Sequence, residues 1–225
     1  MIGSGARIVE FGDAAFLVVL GERISVLLNR RTRALDDAVR GALPAADGWG
    51  VPVLAYASLL VPYDSDRLTA EDARQRIAAL VVAMEAAPLP PERPTQVVEI
   101  PVRYGGEDGP DLDEVAERLG LTPDEVVAIH AGRTYRVFML GFVPGFAYLG
   151  RLPSRLVLPR RATPRARVPA GSVAIADAQT AVYPTATPGG WHLIGRTDEV
   201  LWDPTDDSPA RLAPGDHVRF VATVE

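Results

Sequence analysis

The chain has 225 residues, of which 48% are hydrophobic and 23% charged, and its formal net charge is −6; these values are typical of a globular protein with a full core. The acidic balance argues against duplex nucleic acid as the main partner, because phosphate binding normally calls for a basic domain. The sequence has neither cysteine nor lysine, which excludes disulfides, thiolate metal sites, Schiff bases and a P-loop.

The first part of the chain predicts a small α+β domain over residues 1–87. Apolar runs at 8–10 and 14–20 predict two strands, and apolar residues at helical spacing between Ile24 and Val39 predict a helix that Gly41 ends. The runs 51–56 and 59–61 predict two further strands. Thr69 and Asp72 form a capping box for a second helix.

Residues 88–94 contain four prolines and predict a linker. Beyond it, residues 95–225 predict a second domain with two helices, at 112–119 and after the Thr122 capping box. The other elements are short apolar runs separated by Gly/Pro turns, which predict an antiparallel sheet curled into a barrel. The predicted strands lie at 97–102, 135–140, 168–175, 180–183, 191–194, 200–203 and 218–224.

The turn at 104–112 holds Glu107 and Asp108 among glycines. Two readings stay open for these acids. They can accept hydrogen bonds from a substrate amide or hold Mg²⁺ through oxygen ligands, or they can belong to a solvated turn before a helix. No spacing typical of a metal site is present, and no GxSxG elbow surrounds Ser172.

Residues 139–197 combine Gly, Pro, aromatic and Arg residues without a regular period. Such a composition favours rigid loops that hold polar groups in fixed positions, as a binding surface requires. No acid occurs between Glu125 and Asp177, so the sequence predicts a cationic wall that receives an anionic guest. The arginines of this acid-free segment are Arg133, Arg136, Arg151, Arg155, Arg160, Arg161, Arg165 and Arg167.

Four strings in this segment closely resemble the family of 5-oxoprolinase B subunits, also called the KipI or allophanate hydrolase subunit 1 family. They are MLGFVPGFAYLG at 139–150, LPRRATPRARVPAGSVAI at 158–175, QTAVYP at 179–184 and PGGWHLIGRT at 188–197. The family is related to half of the carboxyltransferase region (subdomains C and D) of urea carboxylase. The resemblance covers nearly the whole chain, more weakly in the N-terminal domain.

The resemblance implies a ferredoxin-like N-terminal domain followed by a cyclophilin-like antiparallel β-barrel. It also implies ATP-dependent opening of 5-oxo-L-proline to L-glutamate, with Mg²⁺ accompanying ATP. The implied partners are a protein like the C subunit (KipA or allophanate hydrolase subunit 2) and the A subunit, and the ATP site can lie on a partner. Two alternatives stay open: inhibition of a sensor histidine kinase, and a urea- or allophanate-type amide hydrolase.

We expect the catalytic step to develop negative charge, which arginine stabilises. Arg160, Arg165 and Arg196 are therefore predicted anion contacts, Arg165 with a catalytic role. His130, in the last turn of its helix, is the predicted proton carrier. An apolar wall, two hydrogen-bonding residues and one residue that stands where many relatives have Gln complete the predicted site. These are Phe142, Phe146, Tyr148 and Trp191 for the wall, Gln179 and Tyr183 for hydrogen bonds, and His192 in place of Gln.

A competing interpretation is that the aromatic residues form barrel core and the arginines dock the C subunit. Both interpretations are compatible if the active site lies at an interface between subunits. The sequence has no signal-peptide pattern and no apolar run near ~18 residues, so it predicts a cytoplasmic protein without a membrane segment.

Overall fold

The computed structural model describes residues 5–89 and 97–223. The chain separates into two compact units, Met1–Arg93 and Pro94–Glu225. Most of the predicted linker at 88–94, and the last residue of the predicted strand 218–224, lie outside the described residues.

The first unit is an antiparallel sheet with two helices. Its elements are β1 (Arg7–Glu10), β2 (Ala15–Val19), α1 (Val26–Ala42), β3 (Val53–Leu54), β4 (Ser58–Pro62) and α2 (Ala70–Ala86). The strand order β1-β2-β4-β3 matches that of a ferredoxin-like sheet with one change. The edge strand beside β2 is β1, from the start of the unit, where a ferredoxin-like sheet has its last strand. The α+β class is therefore confirmed.

Side-chain caps start both helices of this unit. The Ser25 hydroxyl accepts a hydrogen bond from the Leu28 N–H at the start of α1, and Thr69 does the same for Asp72 at the start of α2. Helix α1 continues through Gly41 and ends at Ala42. The prediction that Gly41 ends this helix is therefore wrong by one residue.

The second unit is built on a closed barrel. Its elements are β5 (Val97–Tyr104), α3 (Leu112–Leu119), α4 (Pro123–Ala131), β6 (Thr134–Leu140), β7 (Ala147–Gly150), β8 (Arg165–Val168), β9 (Ser172–Ala176), β10 (Gln179–Val182), β11 (Thr187–Gly189), β12 (His192–Arg196) and β13 (His217–Ala222). The barrel order is β10-β7-β6-β13-β5-β12-β9, and β8 pairs with β11 in a separate ribbon. The predicted barrel is confirmed, but its strands are not all antiparallel, because β13 runs parallel to β5.

Two cores fill this unit, one inside the barrel and one outside it. The inner core includes Ile100, Tyr135 and Phe220. The outer core lies under the β8–β11 ribbon and is centred on Phe146 and Tyr183. The outer core is what positions the candidate site.

Two strand predictions in this unit need correction. The run at 168–175 is split into β8 and β9 by a turn at Gly171, whose φ of +81° favours glycine. The run at 200–203 contributes only an isolated bridge between Trp202 and Ala210. Within the described residues, no helix is both long and apolar enough to cross a membrane.

Candidate binding site

A pocket of about 220 Å³ opens beside the barrel, between the β6–β7 loop and the β8–β11 ribbon. Six of the eleven predicted site residues line it. They are Phe142, Phe146, Tyr148, Arg160, Tyr183 and Trp191.

Phe146 lies at the centre of the aromatic wall. Its ring is 2% exposed and meets four other rings edge to face, with centroid separations of 4.9 Å to Tyr148 and 5.4 Å to Tyr183. Trp191 lies 5.8 Å from the same ring. Edge-to-face contacts at these distances are the preferred aromatic geometry. The wall is therefore both outer core and pocket lining. Phe146 is a core residue, as the competing interpretation predicted, and it can also contact a ligand.

Phe142 is held on a strained turn at the pocket mouth. The Val143 N–H donates to the Gly141 carbonyl at 3.0 Å, and Phe142 between them has a φ of 72°. This is a γ-turn of the rare positive-φ kind. Its side chain is 59% exposed and its ring lies 5.4 Å from that of Phe146. Strain of this kind often occurs at ligand-binding sites.

The pocket has a close-packed back wall at Gly189. A Cβ atom there would lie 2.3 Å from the Tyr183 hydroxyl oxygen. Only glycine lets the β11 backbone approach the tyrosine so closely. Gly189 was not among the predicted site residues, although its place in the PGGWH string was the available signal.

Arg160 is the charged residue among those that line the pocket. Its Nε lies 3.4 Å from the Asp177 carboxylate, and both side chains are more than half exposed. Such a surface pair is weak, so the guanidinium can exchange it for a ligand carboxylate. Burial raises the pKa of Tyr148 and of Tyr183, while the positive charge of Arg160 opposes both shifts. Both phenols therefore stay protonated and can donate hydrogen bonds.

Arg165 has a different environment from the one predicted. Its guanidinium donates to both carboxylate oxygens of Asp111, at 2.7 and 2.8 Å. Arg161 donates to the same carboxylate at 2.8 Å. Arg165 is thus already paired inside the protein, which does not fit the predicted role of a free anion contact. Asp111 was not among the predicted site residues, because no local pattern links it to arginines that lie 50 and 54 residues away.

Two other arginines of the acid-free segment contact separate partners. Arg155 pairs with Glu125 at 3.4 Å, and Arg133 lies over the Tyr135 ring. Acids from outside the segment therefore neutralise several of its charges. The idea of one continuous cationic wall is wrong, and Arg160 is the predicted anion contact that faces the pocket.

His130 lies inside the barrel and is fully buried. The Thr180 hydroxyl donates to the Ala174 carbonyl, so it accepts from His130 Nε2 at 2.8 Å. The Nδ1 atom then accepts from the Tyr104 hydroxyl at 2.7 Å. Burial lowers the pKa of His130 to about 3. The prediction of a proton carrier is therefore corrected: a neutral histidine with both nitrogens satisfied inside the core has a structural role.

Three further predicted residues lie outside the pocket lining. Gln179 is buried at the start of β10, and His192 is buried on β12 with its Nε2 donating to the Pro159 carbonyl at 3.0 Å. Arg196 ends β12, where it pairs in register with Arg103 of β5. The structure therefore does not bring these three side chains together with the pocket residues.

The acidic turn at 104–112 forms part of an open groove. Asp108 accepts a hydrogen bond from Arg103 Nε at 2.7 Å, and Arg103 also donates two hydrogen bonds to the Asp198 carboxylate. Asp108 is therefore occupied by an ion pair. Across residues 5–89 and 97–223, no three acidic or histidine side chains are grouped as metal ligands would be.

Comparison with known proteins defines the class of this chain. Residues 6–212 match the family model for the carboxyltransferase domain, subdomain C and D. The 5-oxoprolinase B subunit of Bacillus subtilis (strain 168) is 38% identical over 97% of this chain and 93% of its own length. That of Escherichia coli O157:H7 is 55% identical over 63% of this chain and 64% of its own length.

A solved structure agrees with these matches. The crystal structure of TTHA0988 is 43% identical with a TM-score of 0.79, and it covers 94% of this chain. This chain spans only 40% of that longer chain. The present protein belongs to the family of 5-oxoprolinase B subunits, as its motifs predicted.

Proposed function

We propose that this chain is the B subunit of an ATP-dependent 5-oxoprolinase that opens 5-oxo-L-proline to L-glutamate, and that the aromatic pocket binds the substrate. The observation that carries the proposal is the convergence of six predicted residues on one pocket. The names of the relatives support the same activity.

The lining of the pocket suits a small ring that carries a carboxylate. Arg160 can hold the carboxylate through two parallel hydrogen bonds. The protonated hydroxyls of Tyr148 and Tyr183 can donate to the lactam carbonyl. The apolar ring atoms would lie against Phe146 and Trp191. This combination of an apolar wall and a few polar groups is typical of small-molecule sites.

The described pocket lining contains aromatic, Arg, Pro and Gly residues, and no Ser, Thr, Cys, His or acid. It can therefore orient the substrate, but its two tyrosines stay protonated, so it offers neither an activated nucleophile nor a general base. We place the groups that open the ring on another protein of the complex. The chain would act as an orienting half of a shared site.

The two pockets described above are poorly suited to ATP. The pocket of about 220 Å³ is smaller than the roughly 300 Å³ at which sites for larger ligands begin. The open groove at Arg103 includes Glu107 and Asp108 in its lining, which would repel phosphates. We therefore assign ATP and its Mg²⁺ to a partner protein.

The proposed partners are a protein like the C subunit and the A subunit. The exposed Phe142 at the pocket mouth suits burial against such a partner. A cytoplasmic location, the kinase-inhibitor alternative and the urea- or allophanate-type alternative stay predictions.

The test is ADP release by the assembled A, B and C subunits in the presence of 5-oxo-L-proline. Arg160→Met in this chain should raise KM for 5-oxo-L-proline about 10- to 100-fold, because a hydrogen bond to a charged group contributes about 1.5–3 kcal/mol. Arg155→Met is the matched control, since Arg155 is exposed and pairs with Glu125. Equal KM values for the two variants would refute the assignment of the pocket. The absence of substrate-dependent ADP release by the unmodified complex would refute the proposed activity.

A further inference from the structure

Asp111 lies behind the aromatic pocket, outside its lining, and is 3% exposed. Its carboxylate accepts four hydrogen bonds from three residues. Two come from Arg165 and one from Arg161, as described above, and the fourth comes from the Leu193 N–H at 2.7 Å. All four are charge-assisted, and such bonds are about twice as strong as neutral ones.

The partners of Asp111 belong to two chain segments that both contribute residues to the pocket lining. Along the chain, Arg161 and Arg165 lie on either side of the pocket residue Pro164, and Arg161 directly follows Arg160. Leu193 follows the turn that carries Gly190 and Trp191. One carboxylate therefore joins segment 160–165 to segment 189–193.

Two backbone contacts join the same segments. The Arg161 N–H donates to the Gly190 carbonyl at 2.9 Å, and Arg165 pairs in register with Gly189 between β8 and β11. This pairing is a two-stranded ribbon, which is marginally stable without further support. The ion pairs of Asp111 with Arg161 and Arg165 therefore support the ribbon in addition to the outer core beneath it.

We propose that Asp111 is a positioning residue that holds Arg160 at the pocket by fixing the segment that carries it. The inference rests on the proposed function, because it takes the pocket as the substrate site. Loss of the carboxylate charge leaves the Arg165 guanidinium without its ion-pair partner, and it leaves Arg161 with only the more distant Glu114 carboxylate at 3.6 Å. These groups turn towards water, segment 160–165 shifts with them, and Arg160 no longer meets the substrate carboxylate in a fixed geometry.

A purely structural role for Asp111 predicts a different kinetic result. Unfolding of part of the sample lowers the apparent kcat and leaves KM unchanged, because the remaining folded molecules bind normally. Misplacement of a binding group raises KM with kcat nearly unchanged. The split between KM and kcat therefore separates the two roles.

The test compares Asp111→Asn with Asp113→Asn in the assembled complex. Asp113 is the matched control, since it lies in the first turn of α3, is exposed and loses the same charge. We expect Asp111→Asn to raise KM for 5-oxo-L-proline at least tenfold with kcat changed less than twofold, and Asp113→Asn to change neither. An unchanged KM in Asp111→Asn, whatever its kcat, would overturn the proposal.

A second readout needs no activity and keeps the proposal separate from the proposed function. This readout is the NMR signal of the Trp191 indole N–H, which is identified by its loss in Trp191→Phe. It should shift in Asp111→Asn and stay in place in Asp113→Asn. An unshifted indole signal would contradict the positioning role even if the complex is inactive. If Asp111→Asn does not fold, Arg161→Met removes one of the same hydrogen bonds. Its KM for 5-oxo-L-proline and its Trp191 indole signal then test the positioning role in the same way.

Discussion

The burial of His130 predicts a specific loss of stability in acid. Its pKa of about 3 in the folded protein lies below the value near 6.5 expected in the unfolded chain. As pH falls below 6.5, the unfolded state takes up a proton that the folded state does not. The stabilisation by neutral His130 is therefore complete above pH 6.5 and is lost between pH 6.5 and 3. At about 1.4 kcal/mol per pKa unit, the loss is about 2 kcal/mol at pH 5 and about 4 kcal/mol at pH 3.

The assay is urea unfolding of wild-type and His130→Gln protein at pH 7, 6 and 5. Both proteins carry Trp49→Phe, so that fluorescence reports on Trp191 and Trp202 in the second unit. Glutamine keeps one donor and one acceptor but does not titrate. The stability advantage of the wild type should shrink by about 2 kcal/mol from pH 7 to pH 5, while the contributions of carboxylates cancel in the difference. An advantage that does not change with pH would refute the reasoning and restore His130 as a candidate proton carrier.

Three further predictions concern the pocket and its support. Gly189→Ala should destabilise the protein by about 1–3 kcal/mol in urea unfolding, because its Cβ would clash with Tyr183. Gly190→Ala should be nearly neutral, since its nearest contact would be 3.6 Å away; equal losses would contradict the packing described. Phe142→Gly should be about 1 kcal/mol more stable than Phe142→Ala, because glycine relieves the positive φ, and a reversed order would argue against the γ-turn. Burial favours the neutral form of Asp111, but hydrogen bonds from Arg165 and from the Leu193 N–H outweigh this effect and hold the pKa of Asp111 below its usual value. The stability lost in Asp111→Asn at pH 7 should therefore decrease only as pH falls below about 4. A decrease already between pH 7 and 5 would show that the loss does not come from the ionised Asp111 carboxylate.

The sequence predicted the parts of the fold that depend on local signals. The Thr122 capping box is present with both of its reciprocal hydrogen bonds, and hydrophobic patterning located most of the barrel strands. Pairing partners are not local, and the parallel contact between β13 and β5 had no signal in either strand. The run at 200–203 has strand composition but lacks a neighbouring strand along its length, so it forms only one bridge.

The candidate site was predicted in the same partial way. Aromatic residues in the Gly/Pro-rich strings gave most of the pocket, because they had to pack somewhere near those turns. The arginines were indistinguishable by sequence, since their roles depend on which distant acid each one meets. Asp111 binds Arg161 and Arg165, whereas Arg160 has only an exposed pair with Asp177. His130 was misassigned because its burial depends on strands that come together only in the closed barrel.

The central claim is that Arg160 and the surrounding aromatic wall receive the carboxylate and ring of 5-oxo-L-proline. The most direct measurement is a crystal structure of the assembled complex with 5-oxo-L-proline bound. The account predicts the substrate carboxylate about 2.7–2.9 Å from the Arg160 guanidinium, with the ring against Phe146 and Trp191. Density for the substrate at another place, with this pocket filled only by water, would contradict the account.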